Sequence, residues 1–125
     1  MIALVLESWL LLLRFEAAMC LGAFKVLRLL VQKQQVVPAA AKMRIATDQL
    51  SRAMDYACVF YIKKVHCLQR SAATAVLLRR HGWSAEMVTG VQILPYKAHA
   101  WVEMQGQVVN DKPYMHEIYQ VLERY

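Results

Sequence analysis

Apolar residues dominate the stretch from Met1 to Val31, and most of the polar ones among them fall on one side of a helix. At about 100° per residue, Glu7, Arg14, Lys25, Arg28 and Gln32 project within roughly 60° of one another. Ser8 and Glu16 lie outside that stripe, so the segment predicts a helix with a narrow wet face and a wide apolar one. Gly22 marks a bend within it, because glycine costs about 1 kcal/mol against alanine inside a helix. The polar run Gln32-Lys33-Gln34-Gln35 then leads to Val36-Val37-Pro38, a connector, since the residue before a proline is biased away from helix. From Met43 to Lys64 the positions Ala46, Leu50, Ala53, Ala57 and Tyr61 recur at threes and fours, which predicts an amphipathic helix packed on the core. A break around Lys63 to His66 separates it from a third helix, Cys67 to about His81. There Leu68, Ala72, Ala73, Ala75, Val76, Leu77 and Leu78 leave little polar surface, so this helix is central. Gly82 after Arg79-Arg80-His81 ends it.

Beyond Gly82 the period shortens. Met87 to Leu94 is β-rich and closed by Pro95, Tyr96-Lys97 form a turn, and Ala98 to Met104 alternates as a second strand. Ala98, Ala100 and Val102 take one face of that strand, and His99, Trp101 and Glu103 the other. Gly106 marks a hairpin into Gln107 to Asp111. A three-residue loop, Met104-Gln105-Gly106, sets Glu103 against Gln107 and His99 opposite Asp111, whereas a two-residue loop at Gln105-Gly106 sets them apart. Pro113 stops the ladder, and Tyr114 to Tyr125 are read as partly helical with Tyr119 and Leu122 turned inward. Helices followed by a small antiparallel sheet make an α+β fold. At 125 residues the chain is one domain, 1–125, with an apolar helical N-terminal segment over 1–37 and the remaining core over 38–125.

A hydrophobic share of 58% against 19% charged residues leaves apolar surface once the core is filled, and a partner or membrane surface would cover it. The first helix is therefore either a core helix or a docking one, with Trp9, Leu12, Leu13 and Phe24 as contacts. Its charges interrupt every run before the roughly 18 apolar residues of a transmembrane span. The first charged residue is Glu7, which is not the basic start of a signal peptide, so cytoplasmic residence is the expectation. A net charge of +6 spread along the chain argues against nucleic acid as a partner. Cys20, Cys58 and Cys67 form no CxxC pair, which points to a reducing compartment and away from zinc; no metal or other cofactor is expected. Cys20 and Cys58 read as core thiols.

Cys67 stands at a helix start, where the positive end of the helix and a neighbouring imidazolium lower a thiol from its ordinary pKa of about 8.5. His99 is the candidate base, and Asp111 the carboxylate that holds one imidazole tautomer and stabilises the charged ring. Backbone N–H groups at the helix start, that of Cys67 included, suit an oxyanion formed when the thiolate attacks a carbonyl. Singly, each residue has a plainer reading: a packed thiol, a strand histidine and a turn aspartate. Together they favour chemistry. His66 is expected to point away from the thiol, His81 to serve a helix end, and His116 to lack an acidic partner. Glu103 is a reserve orienter or substrate contact, and Gln69 and Arg70 form a solvated helix edge.

The segments Cys67-Leu68-Gln69-Arg70-Ser71, Gly82-Trp83, Gly90-Val91, Ala98-His99-Ala100-Trp101-Val102-Glu103 and Asn110-Asp111 resemble the transglutaminase-like leader peptidases of lasso-peptide biosynthesis, over about residues 64 to 113. The resemblance implies a papain-like α+β fold with Cys67 as nucleophile, His99 as base and Asp111 as orienter, so that 38–125 is a cysteine peptidase core. It also implies a bacterial cytoplasmic hydrolase that removes the leader from a ribosomally made precursor peptide, before a separate ATP-dependent macrolactam cyclase, itself a candidate partner, closes the ring. Relatives depend on a small leader-binding protein. The chain is too short to carry that domain fused, so a separate partner is expected, with the apolar face of Met1 to Val31 as its docking surface. Two other readings remain open. The same triad can pass its acyl group to an amine, or the chain is a non-enzymatic adaptor docking through its N-terminal helix.

Overall fold

The computed structural model of the chain describes residues 1–125, the side chain of Ala41 excepted. Its elements run α1 (Ile2–Lys33), a single 3-10 turn (Ala41–Met43), α2 (Thr47–Val59), α3 (Cys67–Arg80), β1 (Glu86–Gln92), β2 (Lys97–Met104), β3 (Gln107–Val108), α4 (Met115–Ile118) and β4 (Gln120–Arg124). The three long helices pack on one another, and α3 among them packs against one antiparallel sheet of order β3-β2-β1-β4, which is an α+β arrangement.

The first half of α1 buries Ser8, Leu11, Leu12, Phe15 and Ala18, the three-and-four spacing of a helix with one core-facing side. The buried Ser8 hydroxyl donates to the Leu4 carbonyl one turn back. The bend expected at Gly22 is a true break: Gly22 and Ala23 leave helical geometry, with Ala23 at φ 52°. It resets the phase of the helix, so the single wet stripe from Glu7 to Gln32 does not run through. Leu12 is fully buried rather than available for docking, and the exposed large apolar positions of α1 are Ile2, Leu6, Leu10, Leu13, Met19 and Leu21 ahead of the break and Leu29 after it. Cys20 is exposed just ahead of the break, and Cys58 is half-buried. Among the described residues no helix is long and apolar enough to cross a membrane.

Helix α2 is shorter than its periodicity predicts. Ala46 is its N-cap and exposed, while Leu50, Ala53, Ala57 and Tyr61 do face the core. Helix α3 lies at the centre and is buried continuously from Ser71 to Arg79. It closes as a Schellman cap: Trp83 N–H donates to Leu78 O, Gly82 N–H to Arg79 O, and Gly82 holds φ +89°. The Arg79 side chain donates to the carbonyls of Ala85, Val31 and Tyr125, which ties the end of α1 and the approach to β1 onto this helix.

The sheet separates two apolar clusters. Met87 and Val102 join the helical core, whereas Val88, Trp101 and Met115 form a smaller cluster on the opposite face. Residues Tyr114 to Tyr125 depart from expectation: α4 is one short turn, and Gln120–Arg124 add a strand to the free edge of β1. Tyr119 is half-buried, but Leu122 is 59% exposed.

Candidate active site

Helix α3 begins at Cys67 with no side chain capping its first turn. Its leading N–H groups therefore have no intrahelical acceptor and face whatever anion stands there. That of Leu68 reaches the Cys67 sulfur. The sulfur also meets the edge of β2. Because β3 is only two residues long, this edge is open beside His99 and Ala100, and the Ala100 N–H points to Cys67 instead of to a paired strand. Two residues on, where the same edge recurs, the Val102 N–H is taken by the Asn110 side-chain oxygen at 2.7 Å.

His99 stands within hydrogen-bonding reach of Cys67. Its Nε2 meets Asp111 Oδ2 at 2.6 Å, which leaves Nδ1 for the sulfur. The His99 ring lowers the Cys67 thiol most; burial works against it, and the N–H groups of Ala100 and Leu68 add to the lowering. His99 is pushed up to about 9, first by Cys67 and then, against burial, by Asp111. The two groups titrate as a pair whose favoured form is thiolate with imidazolium. The ring is also held by neighbours: Tyr119 stacks on it at 5.2 Å and 27°, and Trp101 at 6.1 Å and 28°.

Asp111 arrives by a different route from the one expected. Gln105 and Gly106, at φ 52° and 78°, form a two-residue turn, so Glu103 pairs with Val108 and Met104 with Gln107. Continued strictly, that register would set Lys112 opposite His99. The ladder instead ends at Val108, and Val109 to Asp111 bend away from strand geometry. Asn110 anchors the bend by accepting from Val102 N–H and donating to Ser71 on α3. Asp111 then accepts from Lys112 N–H with one oxygen and meets His99 with the other. A side-chain anchor, not strand register, brings the carboxylate to the histidine.

Glu103 is no orienter of His99. It is 1% exposed and bound by Trp101 Nε1, by Arg124 and by His116, which does therefore have an acidic partner. Burial pushes its carboxyl up, but those three donors outweigh burial and hold it below the usual range. Gln69 is buried, donating to Leu12 O, rather than part of a solvated edge; Arg70 pairs with Asp55. His66 is the exposed N-cap residue of α3, and His81 at its other end bonds Glu7. Tyr119, Asn110 and Arg124 have no local signal of a role in the sequence, because each acts only after the chain past Pro113 has folded back or the hairpin has bent.

A cleft of ≈ 420 Å³ opens beside Cys67 and His99, bounded by Phe24, Leu68, Ala98 and Leu122. On the Asp111 side lies a smaller, polar hollow of ≈ 230 Å³ with Asp55, Arg70 and Thr74.

A family model described as the transglutaminase-like superfamily matches residues 8–124. Over 56 residues, 45% of this chain, the sequence is 41% identical to the microcin J25-processing protein McjB of Escherichia coli, and the matched stretch covers 27% of that protein's length. No solved structure matches.

Proposed function

The chain belongs to the transglutaminase-like superfamily, and from that premise we propose that it is a cysteine peptidase removing the leader from a ribosomally made lasso-peptide precursor. Cys67 is the nucleophile, His99 the acid and base, and Asp111 the orienter. The observation that carries this reading is the convergence of the Cys67 thiol, His99 and Asp111 at the uncapped start of α3, with the thiol lowered and the imidazole raised. The similarity to a protein named for microcin processing supports the substrate class.

In the reaction the Cys67 thiolate adds to the scissile carbonyl, and the developing oxyanion is met by first-turn N–H groups of α3. Collapse breaks the C–N bond as the His99 imidazolium gives its proton to the departing amine. The thioester is then attacked by water, with His99 taking the water's proton, which releases the acid, expels the Cys67 thiolate and restores the thiolate–imidazolium pair. Asp111 keeps the ring in one tautomer and stabilises its charged form throughout. On this reading residues 38–125 supply the chemistry. The protein acts in the cytoplasm with a separate leader-binding protein, which docks on the exposed apolar positions of α1, and upstream of the macrolactam cyclase.

The test is cleavage of a precursor by wild type, Cys67→Ala and His99→Ala with the leader-binding protein present. Both variants are expected to lose on the order of 10³-fold or more in rate. Retained cleavage in Cys67→Ala rejects the reading. Product mass separates hydrolysis from transfer to an amine, the alternative that the family name itself raises.

A further inference from the structure

We propose that the cleft beside Cys67 is a side-chain subsite for an apolar residue on the acyl side of the scissile bond, and that Phe24 sets its size. The inference rests on the reading of Cys67 as the nucleophile. The walls of the cleft come from three separated parts of the chain: Phe24 just after the break in α1, Leu68 on the first turn of α3, and Ala98 and Leu122 on β2 and β4. Gly90 and Ala100 complete its lining. A Cβ at Gly90 would stand 2.8 Å from the Trp101 ring and 2.9 Å from the Gln120 carbonyl, so packing on the Trp101 face of the sheet, away from the helices that wall the cleft, keeps this position glycine. Glu123 is the one charged side chain besides His99 on the rim.

Phe24 is where it is because Gly22 and Ala23 abandon helical geometry. An unbroken helix would carry position 24 in phase with the preceding turns; the break turns it to meet Tyr125 edge-on, with ring centroids 5.8 Å apart. Leu122 remains 59% exposed although it stands on a strand packed against β1. An apolar side chain seated in the cleft would cover it. The acyl side follows from the site's polarity. A carbonyl carbon bonded to the Cys67 sulfur turns its oxygen to the α3 N–H groups, and its acyl chain then runs over Leu68 into the apolar cleft. The hollow on the other side holds the Asp55–Arg70 pair and is polar.

The experiment uses the full chain and two acetyl-dipeptidyl chloromethyl ketones of similar size, Leu-Leu and Gln-Gln. In either, the Cys67 thiolate displaces chloride and forms a C–S bond. Labelling rates are divided by the iodoacetamide rate of the same protein, which reads thiolate reactivity without a side-chain pocket. The Leu-Leu probe is expected to label on the order of 10-fold faster than Gln-Gln. Phe24→Ala, with Phe24→Leu as a milder change, is expected to raise the normalised rate of a Trp-Trp probe relative to Leu-Leu severalfold. Equal Leu-Leu and Gln-Gln rates with rapid iodoacetamide labelling overturn the subsite and leave the nucleophile standing. Slow iodoacetamide labelling of wild type near neutral pH overturns the nucleophile reading and the subsite with it. An unchanged Trp-Trp to Leu-Leu ratio in both Phe24 variants removes Phe24 from the role.

Discussion

His99 with Asp111 and His116 with Glu103 are both imidazole–carboxylate pairs, and Trp101 and Tyr119 lie between them. They differ in what else each partner touches. Glu103 is buried and saturated: indole, guanidinium and imidazole donors occupy its oxygens, and no nucleophile stands near. Asp111 is open to solvent and holds His99 by one oxygen, while the far side of that ring meets a thiol. A histidine beside a carboxylate is therefore not a site. The distinction lies in a third group whose charge rises and falls with the ring, and in an opening through which a substrate reaches it.

The sharpest way to break the comparison is to remove one member of each pair. Asp111→Ala is expected to lower kcat on precursor by roughly 10²- to 10⁴-fold, since an unheld imidazole adopts the wrong tautomer. His116→Ala should leave kcat within a few fold and act on stability instead. Equal losses in the two variants would place both pairs in the reaction.

The two regions also differ in how far they can be read from sequence. Helix α3 is legible because both of its ends carry local signals, the break before Cys67 and Gly82 after Arg79-Arg80-His81. The alternation that puts His99, Trp101 and Glu103 on one face is local too. The route of Asp111 is not: a two-residue turn and a three-residue turn fit Gln105-Gly106 alike, and the outcome depends on Asn110 finding Val102 and Ser71. Strand β4 is likewise hidden, because Gln120 to Arg124 show no clean alternation and gain their backbone partners only from β1, far back in the chain. His116 and Arg124 reach Glu103 through that same fold-back, so the Glu103 cluster is invisible until the tertiary structure exists.

That dependence on Asn110 gives a second test. Asn110→Ala removes the acceptor for Val102 N–H and the donor to Ser71, freeing the bend that aims Asp111. Cleavage is expected to fall about 10-fold, less than for Asp111→Ala, because the carboxylate remains but samples other positions. Asn110→Asp keeps the acceptor and should recover part of the loss. A full-sized loss in Asn110→Ala combined with Asp111→Ala, beyond Asp111→Ala alone, would give Asn110 a role of its own.

Proton affinity separates the pairs as well. The rate should rise with pH as Cys67 loses its proton, below the ordinary thiol range, and fall as His99 loses its own near about 9. In Cys67→Ser the largest cause of the His99 shift is gone, burial still opposes charge, and Asp111 alone supports it. The ring should then titrate lower, toward its ordinary ~6.5, as read from its NMR resonances. A His99 titration unmoved by Cys67→Ser would mean that the thiol and the ring are not coupled.

The smallest expected effect on rate comes from Glu103→Gln, and for that reason it tests the comparison most closely. The amide keeps an acceptor for Trp101 Nε1, so the indole that stacks on His99 stays in place. What it loses is the charge facing His116 and Arg124. Both of those side chains reach solvent, which screens the loss, so unfolding in denaturant should show a decrease toward the low end of about 1–3 kcal/mol. Cleavage should stay within about a factor of 3, because no reacting atom is touched and the two clusters communicate only through aromatic packing. If the rate drops as far as in Asp111→Ala while stability holds, Glu103 acts on His99 through Trp101, and the buried pair belongs to the same machine as the open one.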